Sequence, residues 1–213
     1  MMTVSNIAVH PKSDRVCLML MPMEIGGENL RQLAAKYAVN IAEVVVHDWD
    51  NALTPWPAKG VMPNDPDFEG NAAQTLSVIR EQVIPAIKHR LGSEALTFQL
   101  VGVSLSGLFA VWAWTQGDDF TDIASISGSF WYDNFASWLS QQHVKKSGFA
   151  YLSLGDKEGE TKVKRFQPVV ADTAQVESTL RKDGATVVFE QTKGTHYAPI
   201  VPRLELALQH LPQ

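Results

Sequence analysis

A chain of 213 residues, 45% hydrophobic and with a net charge of −5, holds enough apolar side chain for one sizeable core and points to one domain over residues 1–213. Its basic residues are scattered apart from the short KVKR at 162–165, so no phosphate-tracking stripe exists and nucleic acid is excluded as the expected partner. The single Cys17 excludes an internal disulfide or a thiolate zinc cluster. With no basic leader and no 18-residue apolar run, a cytoplasmic protein without membrane contact is expected.

In chain order, a first strand is predicted over Arg15–Met21, with Cys17 as a core residue inside it. Leu30, Leu33, Ala34 and Tyr37 follow at i, i+3, i+4, i+7, one face of a helix. A second strand is predicted over Ile41–His47, then a helix whose face is Leu76, Ile79, Val83 and Ile87. Strands over Leu96–Val101 and Ile123–Ile126 flank an apolar helical run, Leu108–Trp114. A strand over Phe149–Leu154, a helix marked by Val169, Thr173, Val176 and Leu180, a strand over Ala185–Glu190 and a closing helix with Leu204, Leu208 and Leu211 complete the chain. Strands that are apolar almost throughout, alternating with helices, predict an α/β fold: a mostly parallel sheet covered by helices on both faces.

In such sheets the chemistry gathers beyond the carboxyl ends of the strands, and one stretch there stands out. Gly102-Val103-Ser104-Leu105-Ser106 matches G-x-S-x-G in four of its five slots, with Ser106 in place of the last glycine. A strand enters it and an apolar helix leaves it, the setting of a nucleophile elbow, where small neighbours let strand and helix approach. The alternative is a serine that merely caps a helix. A hydroxyl needs a base and the base an orienting acid, in the chain order Ser, Asp/Glu, His. Three histidines follow Ser104; His196 lies in a loop just past the last strand, whereas His143 and His210 are expected at the surface. The loop after Phe149–Leu154 supplies Glu158, three residues past Gly155, with Asp156 as the alternative acid and Asp133 as a third. The Leu105 N–H, at the start of the elbow helix, is placed to donate to an oxyanion.

At this point the sequence resembles the α/β-hydrolase superfamily, and within it the esterase group that includes esterase D and enterochelin-esterase-like hydrolases. The resemblance rests on GVSLSGLFA (102–110), TPWPAKG (54–60), SISGSFWY (125–132), LSLGDKEGETK (152–162) and GTHY (194–197). It implies a compact α/β-hydrolase fold, Ser104 as nucleophile, His196 as base and then acid, and Glu158 as orienting carboxylate. It further implies a second oxyanion donor in the loop after the first core strand, around Met23, and a small-molecule carboxylic ester or thioester as substrate. The dozen residues before that strand leave too little room for all leading strands of an eight-stranded sheet, and no insertion is long enough for a cap domain.

HDWDNALTPWPAKG (47–60) gathers His47, Asp48, Asp50 and two tryptophans, but at no metal-ligand spacing. Trp49, Trp56, Trp131 and Tyr132 are candidate walls of a substrate pocket, with ordinary packing as the alternative. MPMEIGGENL (21–30) lacks the spacing of a dinucleotide loop, and no P-loop occurs, so no cofactor and no metal are expected. Nothing in the sequence specifies an oligomeric state. An acyltransferase or thioesterase on the same three residues, or a noncatalytic binding protein of this fold, remain the alternative functions.

Overall fold

The computed structural model describes residues 2–212. Strands β1 (Met2–Ala8), β2 (Arg15–Met21), β3 (Asn40–Val46), β4 (Thr97–Val103), β5 (Asp122–Ile126), β6 (Phe149–Gly155) and β7 (Thr186–Thr192) form one sheet in the order β1-β3-β2-β4-β5-β6-β7. All neighbours run parallel except β1, which pairs antiparallel with β3. The six strands expected from β-rich runs are present with ends shifted by a residue or two. The strand β1 was not expected: MTVSNIA is half-exposed on an edge and bulges between Val4 and Asn6, so it carries neither the continuous apolar run nor the clean alternation that marks a strand.

The helices α1 (Gly27–Tyr37), α2 (Trp49–Ala52), α3 (Ala72–Val78), α4 (Ile84–Leu91), α5 (Leu105–Trp114), α6 (Phe135–Gln142), α7 (Val169–Lys182) and α8 (Ile200–His210) connect the strands. Between α3 and α4 a π turn over Ile79–Val83 keeps Ile79 and Val83 in the core just ahead of Pro85, whose missing N–H interrupts the regular ladder. The short helices α2 and α6 escaped the sequence reading, being too brief to show a period.

Alternation along the strands splits the core into two layers. Val16, Leu18 and Leu20 of β2 face α3 to α7, while Cys17, Met19 and Met21 face α1 and α8. Helix α5 is apolar all round and all ten of its residues are buried, which anchors the residue at its N-terminus against the centre of the sheet. Trp114, 1% exposed, donates its indole N–H to the Phe120 carbonyl at 3.1 Å. Among the described residues no helix is long and apolar enough to cross a membrane.

Candidate active site

The carboxyl ends of β4, β6 and β7 each release one polar side chain into a shared cleft. Ser104 follows β4 with φ 58° and ψ −121°, a strained conformation for a side-chain-bearing residue, worth about 1–3 kcal/mol. The surrounding small residues make it possible. A Cβ on Gly102 would lie 2.1 Å from the Ser106 carbonyl oxygen and 2.3 Å from its carbon, so only glycine lets β4 and α5 close to this distance. Ser106, fully buried, accepts the Val103 N–H at 2.7 Å and donates to the Leu20 carbonyl at 2.8 Å. The departure from glycine at this slot thus ties the elbow to β2.

After β6 the chain turns sharply: a Cβ on Gly155 would meet the Gly194 carbonyl at 2.4 Å. The turn brings Glu158 inward, 7% exposed. After β7, the loop carrying His196 is bound to the same turn, since Asp156 accepts the Gly194 N–H at 2.8 Å and the Lys157 N–H donates to the Gly194 carbonyl at 3.0 Å. His196 Nε2 lies 3.0 Å from Ser104 Oγ, and its Nδ1 lies 2.8 Å from Glu158 Oε2. The other carboxylate oxygen accepts the Gly155 N–H at 2.7 Å and the Ser127 hydroxyl. Burial pushes the Glu158 carboxyl up, but hydrogen bonds from His196, Ser127 and Gly155 outweigh it and hold the group below the ordinary carboxylate range. An ionised carboxylate only accepts, so it selects the tautomer with the proton on Nδ1 and leaves Nε2 bare toward the hydroxyl. An imidazole held this way can take the serine proton and keep the resulting charge beside an anion.

Of the two acids weighed in this loop, Asp156 is exposed and faces the backbone of the histidine loop, not the ring. Asp133 lies apart as well, paired with Arg165 at 3.1 Å. His143 is exposed, and His210 stacks on Tyr151 with ring centroids 5.2 Å apart.

The hydroxyl of Ser104 opens onto a cavity of about 600 Å³. Trp49 and Trp131 line it, together with Phe68, Phe166, Val61 and Val169. Trp56 and Tyr132, also expected there, stand behind the wall. Tyr132 is 1% exposed and donates its hydroxyl to the Trp56 carbonyl at 2.5 Å, while the Trp56 indole donates to the Asp133 carbonyl at 3.0 Å. Their polar tips are satisfied by backbone, so they brace the wall from the protein side. Leu105 lines the cavity as the first residue of α5, where backbone N–H groups lack intrahelical partners. Met23 does not line it; its side chain is 70% exposed, and its loop is fixed through the Ile25 N–H to Glu43 at 2.7 Å. Ser129, whose hydroxyl lies 3.3 Å from that of Ser104, was missed, as were Ser127, Phe68 and Phe166. SISGSF signalled the two serines only as small residues after a strand, and the phenylalanines come from distant loops with no shared motif.

Comparison with known proteins bears on the fold and the family. A curated relative, the uncharacterised protein YbbA of Bacillus subtilis, is 33% identical over 137 residues, 62% of this chain and 55% of its own length. The chain thus matches little more than half of that relative. An IroE-like serine hydrolase from Shewanella oneidensis superposes with a TM-score of 0.78 at 17% identity, over 96% of this chain and 73% of that one. The siderophore hydrolase EstB of Aspergillus nidulans superposes at 0.74 and 17% identity, over 92% and 83%. At these identities the likeness establishes the α/β-hydrolase-like fold. Residues 24–199, from the loop after β2 to the loop of His196, match the esterase family described as "Putative esterase"; the chain belongs to that family.

Proposed function

We propose that this protein is a serine hydrolase that cleaves carboxylic esters. Ser104 attacks the ester carbonyl as His196 takes its proton, and a tetrahedral oxyanion forms against the Leu105 N–H. The intermediate collapses to an acyl-enzyme as His196 returns the proton to the leaving alcohol. Water, deprotonated by His196, then attacks the acyl carbonyl; the bond to Ser104 Oγ breaks, His196 returns the proton to Ser104, and the acid leaves. Glu158 holds the ring and stabilises its positive charge. One observation carries this reading: the 3.0 Å and 2.8 Å contacts joining Ser104, His196 and Glu158 at the floor of an apolar cavity. Aromatic walls suit an apolar acyl or aryl group, with few rotamers to freeze on binding. Short-chain esters, and the siderophore lactones suggested by the structural neighbours, are the first substrates to screen.

The test is peptide mapping after treatment with a small fluorophosphonate, on wild type and on Ser104→Ala. The expected result is a single adduct on Ser104, absent in the variant. A folded wild type that forms no adduct refutes the mechanism.

A further inference from the structure

Behind the triad lies a charge the mechanism has not used. Arg203, in the first turn of α8, is 4% exposed. A guanidinium stays ionised even when buried, and a cation at a helix N-terminus opposes the helix dipole, so neither burial nor helix stability accounts for an arginine here. Its partners do. Arg203 Nη2 donates to the Ser127 hydroxyl and lies 3.7 Å from Glu158 Oε1, and Nη1 donates to the His196 carbonyl at 3.4 Å. Ser127 in turn donates to Glu158 and sits at φ 48°, a backbone conformation unusual for a residue with a side chain. Glu158 therefore has two sides: Oε2 faces His196, and Oε1 is held by Gly155, Ser127 and Arg203.

We propose that Arg203 is a positioning residue. It fixes the Glu158 carboxylate through Ser127, anchors the backbone of the His196 loop, and so sets the line from Glu158 through His196 to Ser104. This extends the serine-hydrolase reading to a residue that touches neither substrate nor nucleophile. The contact also explains why a full charge is tolerated in this core: Glu158 is its counter-ion, and removing either would strand the other. Burial lowers the guanidinium's affinity for its proton, and Glu158 and Tyr151 offset that only in part. The helical period carries a trace of the role, because Arg203 falls on the stripe of Ile200, Leu204, Ala207 and Leu208, where only apolar residues belong.

The experiment compares wild type with Arg203→Met, Arg203→Lys and Ser127→Ala, each shown to be folded by circular dichroism. Two readouts are taken. The first is kcat and KM on a p-nitrophenyl ester. The second is the nuclear magnetic resonance signal of the His196 Nδ1 proton in protein labelled with ¹⁵N-histidine, which reports the hydrogen bond to Glu158 without turnover. Arg203→Met is expected to lower kcat about 100-fold with KM within about twofold, because a misplaced base affects the transition state and not binding. Its Nδ1 proton signal is expected to shift or broaden away. Arg203→Lys is expected to recover about tenfold of the loss, and Ser127→Ala to lose about tenfold. Wild-type kcat and an unmoved Nδ1 proton in folded Arg203→Met overturn the inference. Should that variant not fold, an unmoved Nδ1 proton with wild-type kcat in both Arg203→Lys and Ser127→Ala overturns it equally. The proton signal decides the matter even if wild type proves inert to fluorophosphonate, a result that would refute the hydrolase mechanism alone.

Discussion

Replacing Glu158 by glutamine removes one charge and almost no volume, yet every group facing that carboxylate is a donor or is engaged as one. Oε1 receives the Gly155 N–H at 2.7 Å and the Ser127 hydroxyl, and Oε2 receives the His196 Nδ1 proton across 2.8 Å. Ser127 can turn to accept, because its oxygen has a second lone pair beside the one that takes the Arg203 N–H, but the Gly155 N–H can only donate. The new NH₂ must therefore oppose a donor. Turned toward Gly155, it leaves a buried backbone N–H unpaired, at about 1–3 kcal/mol. Turned toward His196, it forces the other tautomer, whose Nε2–H faces Ser104 and cannot act as a base. Even in the correct rotamer the imidazolium loses its counter-ion. At a charge separation of about 4 Å and an effective dielectric constant near 20, that interaction is worth about 4 kcal/mol, or about three decades of rate. Glu158→Gln is therefore expected to lower kcat for a p-nitrophenyl ester about 1,000-fold, with KM within about threefold. Its melting temperature should fall by about 2–10 °C in differential scanning calorimetry. Asp156→Asn, which loosens only the Gly194 contact, should stay within about tenfold of wild type. A Glu158→Gln enzyme within tenfold of wild type, or an Asp156→Asn enzyme as impaired as expected for Glu158→Gln, would refute the assignment of the acid.

Gly102→Ala places a methyl 2.1 Å from the Ser106 carbonyl oxygen. The elbow must open by roughly an ångström, so fluorophosphonate labelling of Ser104 is expected to slow about 100-fold; labelling at the wild-type rate would show that the close approach is dispensable. Glu158 also shapes acid stability. Its folded pKa lies below the ordinary 4.5, so its contribution is full above that value and fades as pH falls through the lower folded one. Glu158→Gln should flatten the decline of stability below about pH 4.5, and equal slopes in chemical denaturation would count against it. At the alkaline end the sign reverses. Burial pushes the Cys17 thiol from 9.0 to about 12, giving stability that is complete below 9.0 and is lost as pH rises toward 12. The folded protein should accordingly resist iodoacetamide, and rapid alkylation without unfolding would contradict the buried placement of Cys17.

Much of the architecture is written locally. Near-continuous apolar runs such as RVCLMLM and FAYLSL can be satisfied only by strands covered on both sides, and helical stripes such as Leu30, Leu33, Ala34 and Tyr37 bury one face each. From these alone follow the parallel sheet and the two helical layers. The positions of Ser104, Glu158 and His196 were legible for the same reason, since each lies within four residues of the end of a recognisable strand. Elements whose signal is weak per residue stayed hidden. Strand β1 gains its pairing only from β3, and α2 and α6, of four and eight residues, span too few turns to show a repeating stripe.

The sequence by itself determined the order of six strands and their longer helices, the elbow and the loops that carry three polar side chains, because these depend on neighbours within a few residues. Only the tertiary structure decided what those loops touch. It chose Glu158 over Asp156, since the turn after Gly155 aims one carboxylate at the ring and the other at the Gly194 backbone. It kept Trp49 and Trp131 at the cavity and set Trp56 and Tyr132 behind it, where backbone carbonyls satisfy their polar tips. It also brought Arg203 to Ser127 across 76 residues. Such contacts arise from packing between distant segments, and the local chain holds no trace of the distance they cross.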